Sequence, residues 1–425
     1  MGLLHHGKLM IGFDLGEEYS QISYSLDEED VETLSSVAGE EQYNIPTVLC
    51  KRVGVNQWFY GKEAVNCAKE NQGILVENIL SLALRGEPVQ IDGTTFDPVA
   101  LLTLFMKRCL GMLSQVASPD KVHAIVITCE KLDGRMVEVL NQVVEGLHFR
   151  TEKVYFQSHA ESFYHYMIKQ PAELWRSQAL LLEYRGTRVI TYCMGCNRRT
   201  TPVVCYVESW EYNMPPYDPM PEEEGLRREK MERLDREFTD IATQVCKKTP
   251  VTSVYLIGEH YSDEWMKESL RNLCMGRRVF QGNNLYSKGA CYSAIERFHP
   301  SETGKAHVFL GEEKLKSNIG MHILNQGQET YFAILDAGVN WYEADQSFEF
   351  YIRGGNEISL EITSLIGRES RTVQITLEDM LPGMSRMKAH LYLKGDKDLI
   401  VEIEDLGFGN FRPATNYVWR KEIAL

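Results

Sequence analysis

An α/β arrangement followed by an all-β unit is the fold class this sequence predicts, and three observations carry it. Apolar residues at helical and at strand spacing alternate from the start of the chain to about residue 300. Beyond residue 319 they recur almost only at every second position. The 425 residues suffice for two or three domains, each with its own core.

The first element is a hairpin with an acid at its rim. Ile11 and Phe13 flank Gly12, Asp14-Leu15-Gly16 makes the turn, and Ile22 and Tyr24 resume the alternation. An Asp at such a turn orders metal-bound water and a Gly lets a phosphate approach the backbone, although an ordinary acidic turn fits the same residues. Residues 98–113 are apolar at helical spacing with Pro98 at their start, and 134–147 repeat the pattern through Met136, Val137, Leu140, Val143, Val144 and Leu147. A more polar helix is expected over 221–247, with Leu226, Met231, Leu234, Phe238, Ile241 and Val245 as its stripe. Its acidic start, Glu222-Glu223-Glu224, and basic end, Lys247-Lys248, suit the helix dipole. In the last part Ile358-Leu360-Ile362, Val373-Ile375-Leu377, Ala389-Leu391-Leu393 and Leu399-Val401-Ile403 predict antiparallel strands. Turns are expected at 353–356 and 394–396, so this part reads as a small sandwich.

Composition narrows the function classes. The net charge of −15, from 45 basic and 60 acidic residues, repels nucleic acid and anionic membrane and favours protein or peptide partners. No apolar run approaches a membrane span and the first residues lack a signal-peptide core, so the expected location is the cytoplasm. The ten cysteines, largely in apolar strands or helices, fit buried thiols in a reducing compartment.

The order of several short segments resembles DnaK-type heat-shock chaperones of the actin-like ATPase superfamily. Residues 11–16 are followed by Ile45-Pro46-Thr47-Val48 and then Trp58-Phe59-Tyr60-Gly61-Lys62. Residues 121–128 resemble the strand before the family's central helix, and 154–166 its helix-connecting segment. Residues 180–187 stand where the second phosphate hairpin belongs, 254–260 where the adenosine-contacting strand and turn belong, and 282–294 where the closing helix belongs. From 319 on, Ile319-Gly320-Met321, Met380-Leu381-Pro382-Gly383 and residues 399–409 follow the order of the family's peptide-binding sandwich. The resemblance implies a two-lobed actin-like (ribonuclease H-like) ATPase fold, with lobe I over 1–175 and a reduced lobe II over 176–305. It further implies a linker over 306–318 and a β-sandwich over 319–425 that holds extended peptide. A purely structural sandwich is the other reading of that last part.

The same resemblance implies nucleotide-site positions at Asp14, Gly16, Glu17, Glu18, Glu183, Gly186, Thr187 and Gly258, with ATP or ADP and magnesium as the cofactors. Several departures count against catalysis. Glu17 and Glu18 replace small hydroxyl residues, and a carboxylate about 4 Å from a phosphate oxygen costs on the order of 1–4 kcal/mol per charge pair. Magnesium or calcium bridging Asp14, Glu17 and Glu18 would relieve that cost. Glu183-Tyr184-Arg185-Gly186-Thr187 keeps one glycine where the family has a run of them, and leaves Arg185 either on an anion or in solvent. Gln157 and Ser158 replace an acid and a proline, and no lysine lies between Lys69 and Lys107. Thr187 and Gly258 are only 71 positions apart, so the adenine-clamping subdomain is expected to be missing. Gly258-Glu259-His260 adds another carboxylate and an imidazole, and the loop over 364–371 is shorter than the family's cleft-covering loop.

Other chemistry is sparse. Cys193 and Cys196 form a C-x-x-C with Cys205 as a third thiol, which reads as half a zinc site, a redox pair or a plain turn. His159, Glu161 and His165 lie at helical spacings. The function expected is a non-hydrolysing, chaperone-like pseudo-ATPase that binds polypeptide or a protein partner, with no catalytic residue and no metal ligand assigned. A divergent ATP-dependent chaperone is the alternative.

Overall fold

The structure, a computed structural model, describes residues 8–27, 30–37, 40–118, 121–149, 151, 153–248, 250–258, 260–262, 264–365, 370–395 and 397–425. Glu259, residues 366–369 of the loop over 364–371 and the end of the 394–396 turn lie outside the described residues, as does the Lys248 side chain. The chain divides into two units, one of residues 1–196 and 205–306 and the other of residues 197–204 and 307–425.

The first unit holds two large sheets of one strand order, beside a three-stranded and a two-stranded one. In the first, Leu9–Leu15 pairs antiparallel with Tyr19–Ser25 on one side and parallel with Val122–Cys129 on the other. Glu32–Thr33 extends the sheet beyond Tyr19–Ser25, and Val154–Ser158 adds a parallel strand beyond Val122–Cys129. In the second, Gln178–Arg185 pairs antiparallel with Arg188–Asn197 and parallel with Val251–Ile257. Val203–Asn213 lies beyond Arg188–Asn197, and Arg278–Gly282 lies parallel beyond Val251–Ile257. Each large sheet therefore has a hairpin, then two parallel strands added beside the hairpin's first strand.

The first hairpin is more deeply placed than its alternation suggests, because every residue of Leu9–Leu15 is buried. A strand hydrogen-bonded on both sides and covered on its face reads as a continuous apolar run rather than a half-buried one. Its cover is the helix Leu285–Phe298, which follows the second sheet in the chain yet packs on the first. Met10, Ala124 and Val126 meet Ala290, Cys291, Ala294 and Ile295 there. Two glycines allow the approach: a Cβ on Gly12 would lie 2.1 Å from the Ser287 carbonyl, and one on Gly289 would lie 2.0 Å from that of Ser162.

The expected helices form with their caps in place. Asp97 accepts hydrogen bonds from Val99 N and Ala100 N at the start of Pro98–Gly111, and Asp133 accepts one from Met136 N at the start of Gly134–Leu147. The polar helix spans Glu224–Lys248. Its stripe starts later than the sequence suggested, since Leu226 is 51% exposed and the packed face begins with Met231 and Leu234. Leu234, Phe238, Ile241 and Val245 then cover Leu180, Leu182, Tyr184, Val254 and Leu256 of the second sheet. Among the described residues between Thr187 and Gly258, strand segments and this helix are the only regular elements.

The second unit holds two four-stranded antiparallel sheets around one apolar core. One contains Ser317–Asn325, Gln328–Leu335, Glu357–Ser364 and Ser370–Thr376; the other contains Asp345–Arg353, Met384–Leu393, Asp398–Asp405 and Val418–Ala424. The turn at 353–356, with Gly354 and Gly355 at φ +74° and +81°, carries the chain from one sheet to the other. Residues 306–318, expected as a linker, are built into structure instead. Leu315 N donates to Val339 O, Gly338 N donates to Leu315 O, and Glu313, Lys314 and Leu315 are buried. The segment is held by its backbone and also by Asn318, whose Oδ1 accepts from Ala337 N at 2.8 Å.

Two predictions follow from the packing. Gly12→Ala forces a methyl into helix backbone, so it is expected to lower stability by about 1–3 kcal/mol or more, read by denaturant unfolding. Gly111→Ala, in open space at a helix end, changes stability by no more than about 0.5–1 kcal/mol and in the stabilising direction.

Asp235 supplies the second. It accepts from Lys267 N, Glu268 N and Ser269 N at the head of the helix Glu268–Cys274. Burial pushes its carboxyl up, but hydrogen bonds from Ser269, Glu268 and Lys267 outweigh this and hold it below the usual range. A carboxyl lowered by folding adds stability above the unfolded range, and loses it as pH falls through the lower folded value. Asp235→Asn should therefore flatten the stability profile below about pH 4, measured by thermal melts across acid pH.

Candidate functional site

The carboxyl ends of parallel strands are where open α/β sheets place chemistry, since the chain turns away there and leaves a crevice. Asp14 is the penultimate residue of Leu9–Leu15, and His159 opens the helix His159–Ile168 directly after the parallel strand Val154–Ser158. Glu183 lies near the end of Gln178–Arg185, and Gly258 follows Val251–Ile257. These residues line one cavity of about 100 Å³, together with Gly16, Glu17, Glu18, Tyr19, Arg185, His260 and Tyr286.

A continuous set of side chains crosses this crevice. His159 Nε2 lies 2.8 Å from Asp14 Oδ1, and the His159 ring stacks on Tyr286 with centroids 3.7 Å apart and planes 10° from parallel. Tyr286 donates its hydroxyl to Glu183 Oε2 at 2.9 Å. Arg185 donates to Glu183 Oε1 with one nitrogen and to Glu130 Oε2, at 2.8 Å, with the other. Arg188 donates to the same Glu130 oxygen at 3.2 Å and to Glu211 at 3.2 Å. The histidine tautomer that fits carries its proton on Nε2, donated to Asp14, since Nδ1 is buried with no hydrogen-bond partner.

The charges in this brace are held in place by burial and by one another. The Tyr286 hydroxyl is pushed well above its usual range, first by burial and then by the Glu183 carboxylate and Tyr192, so it stays a donor. Burial works against the Arg185 charge, but Glu183 and Glu130 outweigh it and keep the guanidinium protonated.

The positions expected at a nucleotide site therefore separate. Asp14, Gly16, Glu17, Glu18, Glu183 and Gly258 come together; Gly186 and Thr187 sit exposed in the hairpin turn and do not line the cavity. Glu18 is exposed, and Glu17 Oε1 lies 3.4 Å from Ser81 N, so these two acids form the rim rather than the floor. Glycine is required at two of the turns. A Cβ on Gly16 would lie 2.3 Å from Tyr19 O, and Gly258, at φ +120°, would put one 2.5 Å from Tyr184 O. Arg185 neither waits for a free anion nor turns to solvent, because its two terminal nitrogens each donate to a carboxylate. Tyr184, one residue before it on the strand, points the other way into the core and donates to Pro215 O.

His159 and Tyr286 are the residues that sequence reasoning missed in this role. His159 stood out only for its spacing to Glu161 and His165; those two lie 3.6 Å apart and make a separate contact. Gln157 and Ser158 hold the helix start: Gln157 donates to Ser162 Oγ, and Ser158 Oγ caps Glu161 N. His260 stacks on Tyr217 at 5.1 Å near the mouth of the crevice. Cys193 and Cys196 do not act as a pair, and no group of three or more His, Cys, Asp or Glu among the described residues is arranged to hold a metal ion.

Residues 30–312 match the C-terminal part of a family of unknown function, DUF5716, and residues 314–425 match a domain of unknown function, DUF8552. No curated protein matches the chain. No helix among the described residues is long and apolar enough to cross a membrane.

Tyr286→Phe deletes one hydroxyl and leaves Glu183 with Arg185 alone. It is expected to cost about 1.5–3 kcal/mol, the range for a hydrogen bond to a charged group, with the His159 stack retained. Chemical denaturation of the variant beside the parent measures this.

Proposed function

The chain belongs to the DUF5716 family, and we propose that it is a non-hydrolysing relative of actin-like ATPases that works by binding polypeptide. The brace from Asp14 through His159, Tyr286 and Glu183 to Arg185 carries the reading. A nucleotide pocket keeps its donors open for phosphate oxygens, whereas here Tyr286 and Arg185 already serve carboxylates. The cavity of about 100 Å³ is also well below the roughly 300–1,000 Å³ of ordinary ligand pockets. ATP or ADP with magnesium does not fit residues so arranged. The repeated strand order of the two sheets, hairpin first and parallel strands after, supports the actin-like assignment and the resemblance to DnaK-type chaperones.

Polypeptide binding belongs to the second unit in this reading. The strand Asp345–Arg353 pairs on one side with Met384–Leu393 and, among the described residues, has no strand on its other side. Its Tyr351 is 61% exposed and meets Phe408 edge-on at 6.0 Å. An extended apolar peptide adding a strand there gains backbone hydrogen bonds and an aromatic contact. A cytoplasmic location accords with ten cysteines held as thiols, most of them buried.

Millimolar magnesium-ATP should leave the melting temperature of the full chain unchanged, because a ligand shifts it only by binding the native state. A rise accompanied by phosphate release would instead establish the divergent ATP-dependent chaperone. A labelled extended apolar peptide should bind in fluorescence anisotropy and lose affinity about tenfold in Tyr351→Asp. Unchanged affinity in that variant would remove the strand-edge assignment.

A further inference from the structure

The C-x-x-C of the sequence is split by the strand it lies on, because residues three apart on a strand project from opposite faces. Cys193 enters the core beneath the helix Glu224–Lys248 and donates to Gln178 Oε1 at 3.0 Å. Cys196 points the other way and meets Cys205 of the neighbouring strand Val203–Asn213, with the two sulfurs 2.8 Å apart. A disulfide needs about 2.05 Å between sulfurs, so a shift of under about 1 Å joins this pair.

We infer that Cys196 and Cys205 form a reversible cross-strand disulfide, a modification site that closes the segment Asn197–Val204. The chain leaves the first unit after Cys196 and re-enters it at Cys205, so the bond ties the two ends of the excursion over 197–204. Cys196 is half-buried and Cys205 buried, which makes Cys196 the sulfur that meets a soluble oxidant. With hydrogen peroxide as that oxidant, the Cys196 thiol becomes a sulfenic acid and one water leaves. The Cys205 sulfur then attacks the Cys196 sulfur, the S–O bond breaks, and a second water leaves with the Cys205 proton. Two thiols lose two electrons and two protons, and the peroxide is reduced to two waters. A thiol such as glutathione or dithiothreitol reverses the bond.

Another pair of thiols gives the contrast. Cys50 and Cys67 are both buried, and burial, followed by the hydrogen bond with Cys67, pushes the Cys50 thiol up to about 12. That pair has neither the accessible member nor the ready thiolate that attack requires.

The test uses the full chain carrying Cys274→Ser, which removes the exposed thiol. The protein is treated with stoichiometric peroxide, quenched with N-ethylmaleimide and nicked by trypsin at the exposed Arg198 or Arg199. The expected result is one band on a non-reducing gel and two after dithiothreitol, with a Cys196–Cys205 linked peptide by mass spectrometry. Cys196→Ser should give two bands under both conditions. This variant changes the half-buried partner, so it is informative even if Cys205→Ser does not fold. A Cys196 that stops at sulfenic or sulfinic acid while Cys205 stays alkylatable overturns the proposal, as does fragmentation that places the bond on Cys193 with Cys196 alkylated.

Discussion

Two carboxylates buried at the ends of central strands set the terms for everything around the crevice. Asp14 is 8% exposed and Glu183 is 6% exposed. Ionised oxygens so placed cost several kcal/mol unless partners are built in. Asp14 gets its partner from the head of the helix His159–Ile168, and Glu183 gets two, from the helix Leu285–Phe298 and from its own strand. Because the partners come from different elements, satisfying the charges also joins the elements. The stack of His159 on Tyr286 then makes two local solutions into one brace.

That brace depends on how closely the closing helix approaches the first sheet. Tyr286 stands in the helix's first turn, so its position is fixed by contacts just beyond it. Ser287 Oγ lies 2.8 Å from Ser23 Oγ, Gln21 donates to Asn283 O, and the backbone at Gly289 passes Ser162. Any residue with a side chain at Gly12 or Gly289 would lift the helix off and carry Tyr286 away from Glu183. The packing of small residues on the far side of the sheet and the charge balance in the crevice are thus one structural problem with one solution.

The alternation of apolar residues was enough to place the strands and helices, because burial on one face leaves a period that the chain must show. It was less informative where both faces are covered, as along Leu9–Leu15, or where one end of a helix stands free, as at Leu226. Within the site, the sequence pointed to Asp14 by its place at the rim of the first hairpin, and to Glu183 and Gly258 only through the order of segments that resembles DnaK-type chaperones. It did not point to His159 and Tyr286. A histidine at a helix start and a tyrosine in a helix's first turn are common in sequences, and only the fold brings two such residues, 127 positions apart, into ring contact. The supposed linker over 306–318 was unreadable for a related reason. It is tied by backbone hydrogen bonds to 338–341 and by Asn318 Oδ1 to Ala337 N, contacts that only the fold brings within reach.

If, as we propose, the crevice excludes polyphosphate, charge alone does not account for it. Glu17 and Glu18 drew attention as repulsive groups, yet both sit at the rim, where solvent screening reduces a repulsion to about 1 kcal/mol or less and a cation can offset it. The stronger obstacle is that the donors are already engaged. To admit a phosphate, Tyr286 and Arg185 would have to release Glu183, leaving a buried carboxylate unpaired beside an incoming anion. The loss on both sides adds: two charge-assisted hydrogen bonds forgone and a like-charge contact created in a poorly solvated space. Replacing the rim glutamates with neutral residues would not change that, whereas removing Glu183 would free both donors at once. On that proposal the acid at the strand end, rather than those at the turn, keeps the crevice closed.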